Sequence, residues 1–482
     1  MCRSIDLRIV AALTLAAAGL VAPAAGQEPV ERVAAADRAL DRLAGAGAAL
    51  WPSFRVDTIP IVWSFPGRGW ALTNWTDDTL PAGFDPTSES GVAWKPVLEA
   101  GSPGANMVSL GERGWAFVPA ADLTASGMVG LGAHEAFHVW QRGARREGRY
   151  REGENAALLI EYPEFDPVNE EGFALEGRLL AAALASDAAA GARQLLWSFV
   201  ASREARHRAI GPGLAEFEEE AELNEGMAQY VYLEAVELAG GNGDLAPGEV
   251  AEEVQSEMDR LGQDLVAEGE RSLRRRFYTT GSALGRLLDE IAGAQWKLDL
   301  LDSGLALHDL LALAVGYRAR EDSLVRMANG GYGAGLRESV ESAIAERRER
   351  RVARVEQVLS ADGLRLEIVS PTLGLCGFDP QNLLRLEDGR LLHARWIRFC
   401  LPDGTAEFNT PVVQDSGAGR AIAVLTEPDA VAIEIGGERA SLDALPSGTV
   451  EDLSISGPGV EIQAAHARVR NAGDVLELTV EP

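Results

Sequence analysis

From residue 126 on, the hydrophobic period of the chain is helical until about residue 361 and then alternates, and this confines it to a fold whose helical and sheet parts follow one another. From about Ser126 to Ala361 apolar residues recur at helical spacing, over 126–143, 170–188, 190–209, 213–239, 247–270 and 278–292. Gly211-Pro212-Gly213 and Gly240-Gly241 punctuate the joins. A charged helix is expected from Leu336 to Leu359, and its run ERRERR reads as a solvated connector. From Leu364 onward short β-rich runs alternate with turn signals: Asp388-Gly389, Asp403-Gly404, Gly436-Gly437 and Gly457-Pro458-Gly459. Alternation is clearest in Val431–Ile435 and in Val475–Val480. Ahead of residue 126, positions 29–45 have helical spacing, and Ile59–Phe65 and Trp115–Val118 are strand-like. Six of the ten tryptophans fall between Trp51 and Trp115, a density that reads as core packing rather than a cleft lining.

The expected class is therefore α+β. Residues 27–125 form an N-terminal α/β region, 126–361 a mostly helical domain, and 362–482 an all-β, sandwich-like domain. The first 26 residues carry Arg3 and Arg8, an apolar run and small residues, the pattern of a signal peptide cleaved near Gly26/Gln27. The run is short for a bilayer, and nothing later is apolar enough to span one, so no membrane span is expected after cleavage. A secreted or periplasmic location follows. Cys376 and Cys400 then remain as an even pair in an oxidising compartment, and a bridge between them would contribute roughly 3 kcal/mol in the chain-entropy picture. The formal net charge of −29 argues against nucleic acid as a partner. Nearly all basic residues are arginine, Lys95 and Lys297 excepted, which reads as a composition bias.

The chemistry is concentrated in Gly132-Ala133-His134-Glu135-Ala136-Phe137-His138-Val139-Trp140. Two histidines four apart share one helix face. Two imidazoles and a carboxylate suit Zn2+ with one position left for water. Glu135 stands beside that face, placed to take a proton from the water rather than to bind metal. A third ligand must come from elsewhere. One source is Leu223-Asn224-Glu225-Gly226-Met227-Ala228-Gln229-Tyr230, where Glu218, Glu222 and Glu225 form an acidic stripe. The other is Asn169-Glu170-Glu171-Gly172-Phe173-Ala174-Leu175-Glu176, which offers Glu171 or Glu176. On chemistry alone both stay open. Further on, Tyr278 opens the segment Tyr278-Thr279-Thr280-Gly281 at a helix start, where a hydroxyl could face an oxyanion.

In order, these three segments resemble the gluzincin metallopeptidases of the aminopeptidase-N-like and glycyl-aminopeptidase-like kind. There a His-Glu-x-x-His helix precedes an Asn-Glu-Gly-x-Ala-x-Tyr helix and then a Tyr-x-x-Gly helix. The resemblance covers roughly residues 107–315. It implies a thermolysin-like, mostly helical zinc peptidase domain with a small N-terminal β region. It also implies His134, His138 and Glu225 as metal ligands, Glu135 as base and Tyr278 as oxyanion stabiliser. The chain departs from that pattern in two places. Glu225 lies 87 residues after His138, which requires an inserted helical pair. The upstream Gly-x-Met-Glu-Asn motif is missing: Gly104-Ala105-Asn106-Met107-Val108 lacks the glutamate that holds a free amine, so aminopeptidase specificity is not implied.

No Gly-x-Ser-x-Gly elbow or phosphate-binding loop is found. Gly331-Tyr332-Gly333-Ala334-Gly335 follows no strand and reads as a loop. His207, His308, His393 and His466 show no ligand spacing and read as structural. Asn74-Trp75-Thr76 is a glycosylation sequon. The expected function is an exported zinc peptidase acting on peptide or protein substrates. Two alternatives are a non-catalytic binding protein on the same scaffold and a zinc hydrolase of non-peptide amides.

Overall fold

The computed structural model describes residues 29–45, 50–76, 79–89, 91–96, 106–110, 113–151, 153–186, 189–266, 273–318, 321–442 and 445–481. The expected signal segment, 1–26, and Gly104-Ala105 lie outside them. The first helices are α1 (Pro29–Gly45), α2 (Ala125–Arg146), α3 (Pro167–Leu184), α4 (Ala189–Ile210), α5 (Pro212–Ala221) and α6 (Met227–Gly241). They are followed by α7 (Pro247–Val266), α8 (Arg275–Ala292), α9 (Gln295–Ser303), α10 (Leu307–Val315), α11 (Glu321–Gly331) and α12 (Leu336–Leu359). The chain divides into two compact units, and it passes from one to the other within α2, within α6 and within α7.

The first unit comprises Arg55–Val139 and Ala235–Glu253 together with α1. Its six-stranded sheet contains β1 (Ile61–Phe65), β2 (Gly69–Thr73), β3 (Asp85–Pro86), β4 (Ala93–Pro96), β5 (Asn106–Leu110) and β6 (Arg113–Pro119). The order is β3-β4-β2-β1-β6-β5, parallel only between β1 and β6. Every residue of β1 is buried, as a strand covered on both faces must be. Trp63 on β1 packs where a side chain on Gly132 would stand, since a Cβ there would lie 2.7 Å from the indole. Its ring nitrogen donates to the Thr73 hydroxyl at 3.2 Å, so the indole has little freedom to move away. The glycine two residues before His134 is thus needed to seat α2 on the sheet. Arg32 of α1 donates to the carbonyls of Ala120, Ala121 and Leu123, which fixes the loop entering α2. The helix start is capped twice: the Thr124 hydroxyl accepts from the Gly127 N–H at 2.9 Å, and a Glu249 carboxylate oxygen from the Ser126 N–H at 2.7 Å. In the sequon, Asn74 spends its amide on the carbonyls of Val56 and Ile59.

The second unit contains Trp140–Glu234 and everything from Val254 on, with Leu50–Phe54. Helix α3 begins earlier than the hydrophobic period indicates, because Asp166 caps the Val168 N–H at 2.9 Å and Pro167 fits the first turn. The segment expected as one helix over 213–239 is α5, a five-residue π-helical turn (Glu222–Gly226) and α6. The short helices α9, α10 and α11 carried too few turns to stand out, and α9 and α10 end at Gly304 and Gly316, both with φ +65°. Trp51, Trp140, Tyr230 and Trp296 pack edge to face around fully buried Trp51, with centroids of 5.6–6.3 Å between Trp51 and each of the others. Packing, as expected, is what Trp51, Trp63 and Trp115 do: all three are buried.

These helices enclose a lattice of ion pairs. Arg203 binds Glu176 at 2.9 Å and Glu222 at 2.8 Å, while Arg206 binds Glu176 and Glu218, each at 2.6 Å. Tyr162 donates to Glu218 at 2.6 Å and Thr280 to Glu222 at 2.5 Å. Glu170 receives Arg276 and Arg347, and Glu164 receives Arg351. The expected solvated run ERRERR is therefore divided: Arg347 and Arg351, one turn apart, point inward and are 2% and 3% exposed, while Arg348 and Arg350 stay outside. Arginine is not a neutral composition bias here, because its planar fork serves two carboxylates at once, as an ammonium does poorly. Breaking one such buried pair leaves a charge stranded and costs about 3–5 kcal/mol.

The C-terminal sheet has thirteen strands. Strand Val460–Asn471 is its branch point, pairing along one edge with Gly448–Gly457. On the other edge its first half pairs with Gly404–Phe408 and its end with Val475–Thr479. The strands thus form one branched sheet, not two separately bonded ones, around a shared core that includes Leu366, Phe399, Phe408, Ile455 and Leu478. Cys376 and Cys400 are disulfide-bonded, with Cα atoms 5.4 Å apart, joining neighbouring strands at a β-bulge.

The lattice has a signed acid response. Burial pushes the carboxyls of Glu170, Glu176 and Glu218 up, but their arginines outweigh it and hold all three below the usual 4.5. Their stabilisation is complete above that value and is lost as pH falls through the lower folded values. Glu222 goes the other way, raised by burial that Arg203 and Thr280 only partly offset, so its protonation sets in first and favours the folded state. Denaturant unfolding should show stability level or slightly rising towards pH 4.5, then falling steeply. A steady decline starting above pH 6 would contradict the pairing.

Candidate metal centre

Helix α2 brings its polar residues to one face. His134 and Glu135 are each 5% exposed, and His138 is half-buried. The Nε2 atoms of the two histidines are 3.1 Å apart, and Glu135 Oε1 stands 4.0 Å from His134 Nε2. Two zinc ligands at ordinary bond lengths and a tetrahedral angle stand about 3.3 Å apart, so the imidazole pair already has the spacing of one edge of such a site.

One and two turns further along the same helix, Gln141 and Arg145 hold the segment that carries Glu225. The Gln141 amide donates to the carbonyls of Leu223 and Asn224, at 2.8 and 3.0 Å. The Tyr150 hydroxyl also donates to Leu223 O, at 2.8 Å, and Arg145 donates to the Asn224 side-chain oxygen at 2.8 Å. These carbonyls belong to the π-helical turn, where the widened backbone does not follow the regular i, i+4 ladder. The Asn224 amide in turn donates to Glu225 Oε1 at 3.0 Å. The result is that His134, His138 and Glu225 offer ligand atoms all within 4.8 Å of one another. The donor set, two imidazole nitrogens and a carboxylate oxygen, fits a zinc ion.

The other candidates are placed differently. Glu176 is fully buried and held by Arg203 and Arg206, and Glu171 pairs with Arg337 at 2.6 Å near the surface. The acidic stripe splits, with Glu218 and Glu222 in the ion lattice and Glu225 turned to Arg274 at 2.5 Å. Arg274 also binds Glu154 at 2.5 Å and reaches the Tyr278 hydroxyl at 3.4 Å. Burial disfavours its charge, yet Glu225, Tyr278 and Glu154 hold it firmly protonated. Half-buried Tyr278 therefore meets the same guanidinium as Glu225, and its oxygen accepts from Gln381 at 2.9 Å.

A pair of glycines makes this neighbourhood possible. A Cβ on Gly226 would lie 2.5 Å from Gly281 Cα, and one on Gly281 would lie 2.7 Å from the Glu222 carbonyl oxygen. The π-turn and α8 touch backbone to backbone, one residue after Glu225 and three after Tyr278. Gln141, Arg145 and Arg274 went unnoticed in the sequence, and Asn224 stood out only as part of the Asn-Glu-Gly segment, without a role. For the first two, the signal was helical spacing from His138 on the histidine face. Of the histidines read as structural, His393 is: it bonds Gln414 at 2.9 Å, and burial pushes it down to about 4. His207 and His308 instead converge on Glu219.

No protein-family model matches the chain, and no curated protein or solved structure matches it.

Gln141→Leu removes the side-chain donor to the Asn224 carbonyl and leaves the buried Leu223 carbonyl with Tyr150 alone of its two side-chain donors. The expected cost is about 2 kcal/mol, since an orphaned buried acceptor costs about 1–3 kcal/mol. Gly281→Ala should cost about 1–3 kcal/mol through overpacking against backbone. Denaturant midpoints of both variants against the parent check this, and a wild-type midpoint in either would contradict the packing described.

Proposed function

We propose that this chain is an exported zinc-dependent peptidase whose metal is held by His134, His138 and Glu225. The observation that carries the reading is the convergence of those three side chains on a helix that also presents buried Glu135. When bound, the zinc would polarise the scissile carbonyl and lower the pKa of a coordinated water. The residues of the chain do the rest. The Glu135 carboxylate would accept the water's proton and return it to the leaving amine. Pure metal holding does not need that residue, so its presence favours an enzyme over a binding protein. The Tyr278 hydroxyl would donate to the oxyanion, with Arg274 and Gln381 keeping its oxygen in place. Arg274 and Asn224 would orient Glu225 through Oε1. Export fits the disulfide, and among the described residues no helix is long and apolar enough to cross a membrane.

Glu135→Gln should lower peptide hydrolysis by about 10²–10⁴-fold, the usual range for a general base, with zinc content unchanged. Glu225→Ala should lower zinc content relative to the parent. Glu176→Ala should keep its zinc but lose about 3–5 kcal/mol of stability, because it strands buried arginines. Undiminished cleavage by Glu135→Gln, or full zinc content in Glu225→Ala, would overturn the assignment.

A further inference from the structure

The second group of converging histidines lies on three helices of the second unit. His207 ends α4, Glu219 is on α5, and His308 is in the first turn of α10. Far apart in sequence, they offer ligand atoms all within 4.8 Å of one another. His207 Nδ1 is 3.9 Å and His308 Nε2 4.0 Å from the same oxygen, Glu219 Oε1.

The second atom of two of the three side chains is already engaged. His207 Nε2 is 3.1 Å from Glu218 Oε2, which fixes its tautomer with the proton on Nε2 and the lone pair on Nδ1. Glu218 is itself gripped by Arg206 and Tyr162, so it acts as a fixed carboxylate behind the imidazole. A metal-binding histidine usually has such a partner on its other nitrogen. Glu219 Oε2 accepts from Arg151 at 3.1 Å, leaving Oε1 to face the two rings.

His308 adds an independent observation. It is only 6% exposed, its Nδ1 has no hydrogen-bond partner, and its Nε2 faces carboxylate oxygens at 3.5 Å (Asp309) and 4.0 Å (Glu219). With the proton on Nδ1, the Nε2 lone pair would face two carboxylate oxygens, a repulsion that a cation on Nε2 would convert into attraction. The 3.9 and 4.0 Å separations from Glu219 Oε1 are wider than the roughly 3.3 Å edge of an occupied tetrahedral site, so side-chain rotations would draw the three atoms in on binding.

We propose that His207, Glu219 and His308 form a second, structural metal site for Zn2+ or a similar first-row dication. Two imidazole nitrogens and a carboxylate oxygen, brought from three separate helices, suit such an ion, and binding it would pin those helices together. Asp309 is about half-exposed, which gives the ion a way in from solvent. The metal ties together α4, α5 and α10, next to the π-turn that carries Glu225.

The test uses the full chain with His134→Ala and His138→Ala combined, so that the first site is silent. It is stripped with chelator and titrated with Zn2+ alone. The expected result is one bound zinc and a rise in melting temperature, both lost when His308→Gln is added. If that third change prevents folding, Glu219→Gln in the same background replaces it. Absence of bound zinc in the doubly substituted chain, or retention of zinc after either third change, overturns the proposal. Because the first site is removed at the outset, failure of the peptidase reading leaves this result unaffected.

Discussion

Two guanidinium groups, those of Arg203 and Arg206, sit in a region from which water is excluded, and the helices around them are arranged to satisfy them. Bare charge at that depth is not tolerated, so Glu176, Glu218 and Glu222 are drawn inward from α3, α5 and the π-turn. This commitment has consequences at both candidate metal positions. Three carboxylates that could have served the histidines of α2 are consumed, and Glu225, one step further along the π-turn, remains to face Arg274 and the imidazoles. Glu218, held by Arg206, presents its remaining reach to His207. One lattice thus sets which acids are spoken for and which nitrogen of a distant histidine carries its proton.

The C-terminal sheet, which the peptidase resemblance leaves unexplained, is tied to the helices by the same kind of chemistry. Arg351 of α12 bonds both Glu164 and the carbonyl of Arg385, and Arg385 donates to the carbonyl of Tyr162. Gln381, on the turn before a short strand of that sheet, donates to the Tyr278 hydroxyl. The sheet is in this way a participant in the setting of the Tyr278 hydroxyl.

What could be read from the sequence followed from local geometry. The i, i+4 histidines, the change from helical to alternating periodicity and the cysteine pair each depend on near neighbours or on counting, and each recurs in the structure. What escaped notice depends on partners far along the chain. Nothing near Arg347 or Arg351 shows that Glu170 and Glu164 will meet them, and only the fold turns an apparently solvated run into half of a buried one. His207 and His308 share no spacing because their common partner sits on a third helix. The start of α3 was misjudged for a different reason: Asp166 and Pro167 define it, while the hydrophobic period begins later.

The π-helical turn is, in effect, one residue more than a regular helix would hold over the same length. Along an α-helix each residue swings the next side chain by about 100° around the axis. Excising one residue between Glu222 and Gly226 would let α5 and α6 merge into an unbroken rod, a gain in backbone regularity. The same excision would carry either the Glu218 and Glu222 side or the Glu225 side about a quarter-turn out of phase. The extra residue therefore lets one continuous stretch of chain face two directions, inward to the arginines and across to the histidine helix, which a perfectly regular helix would not.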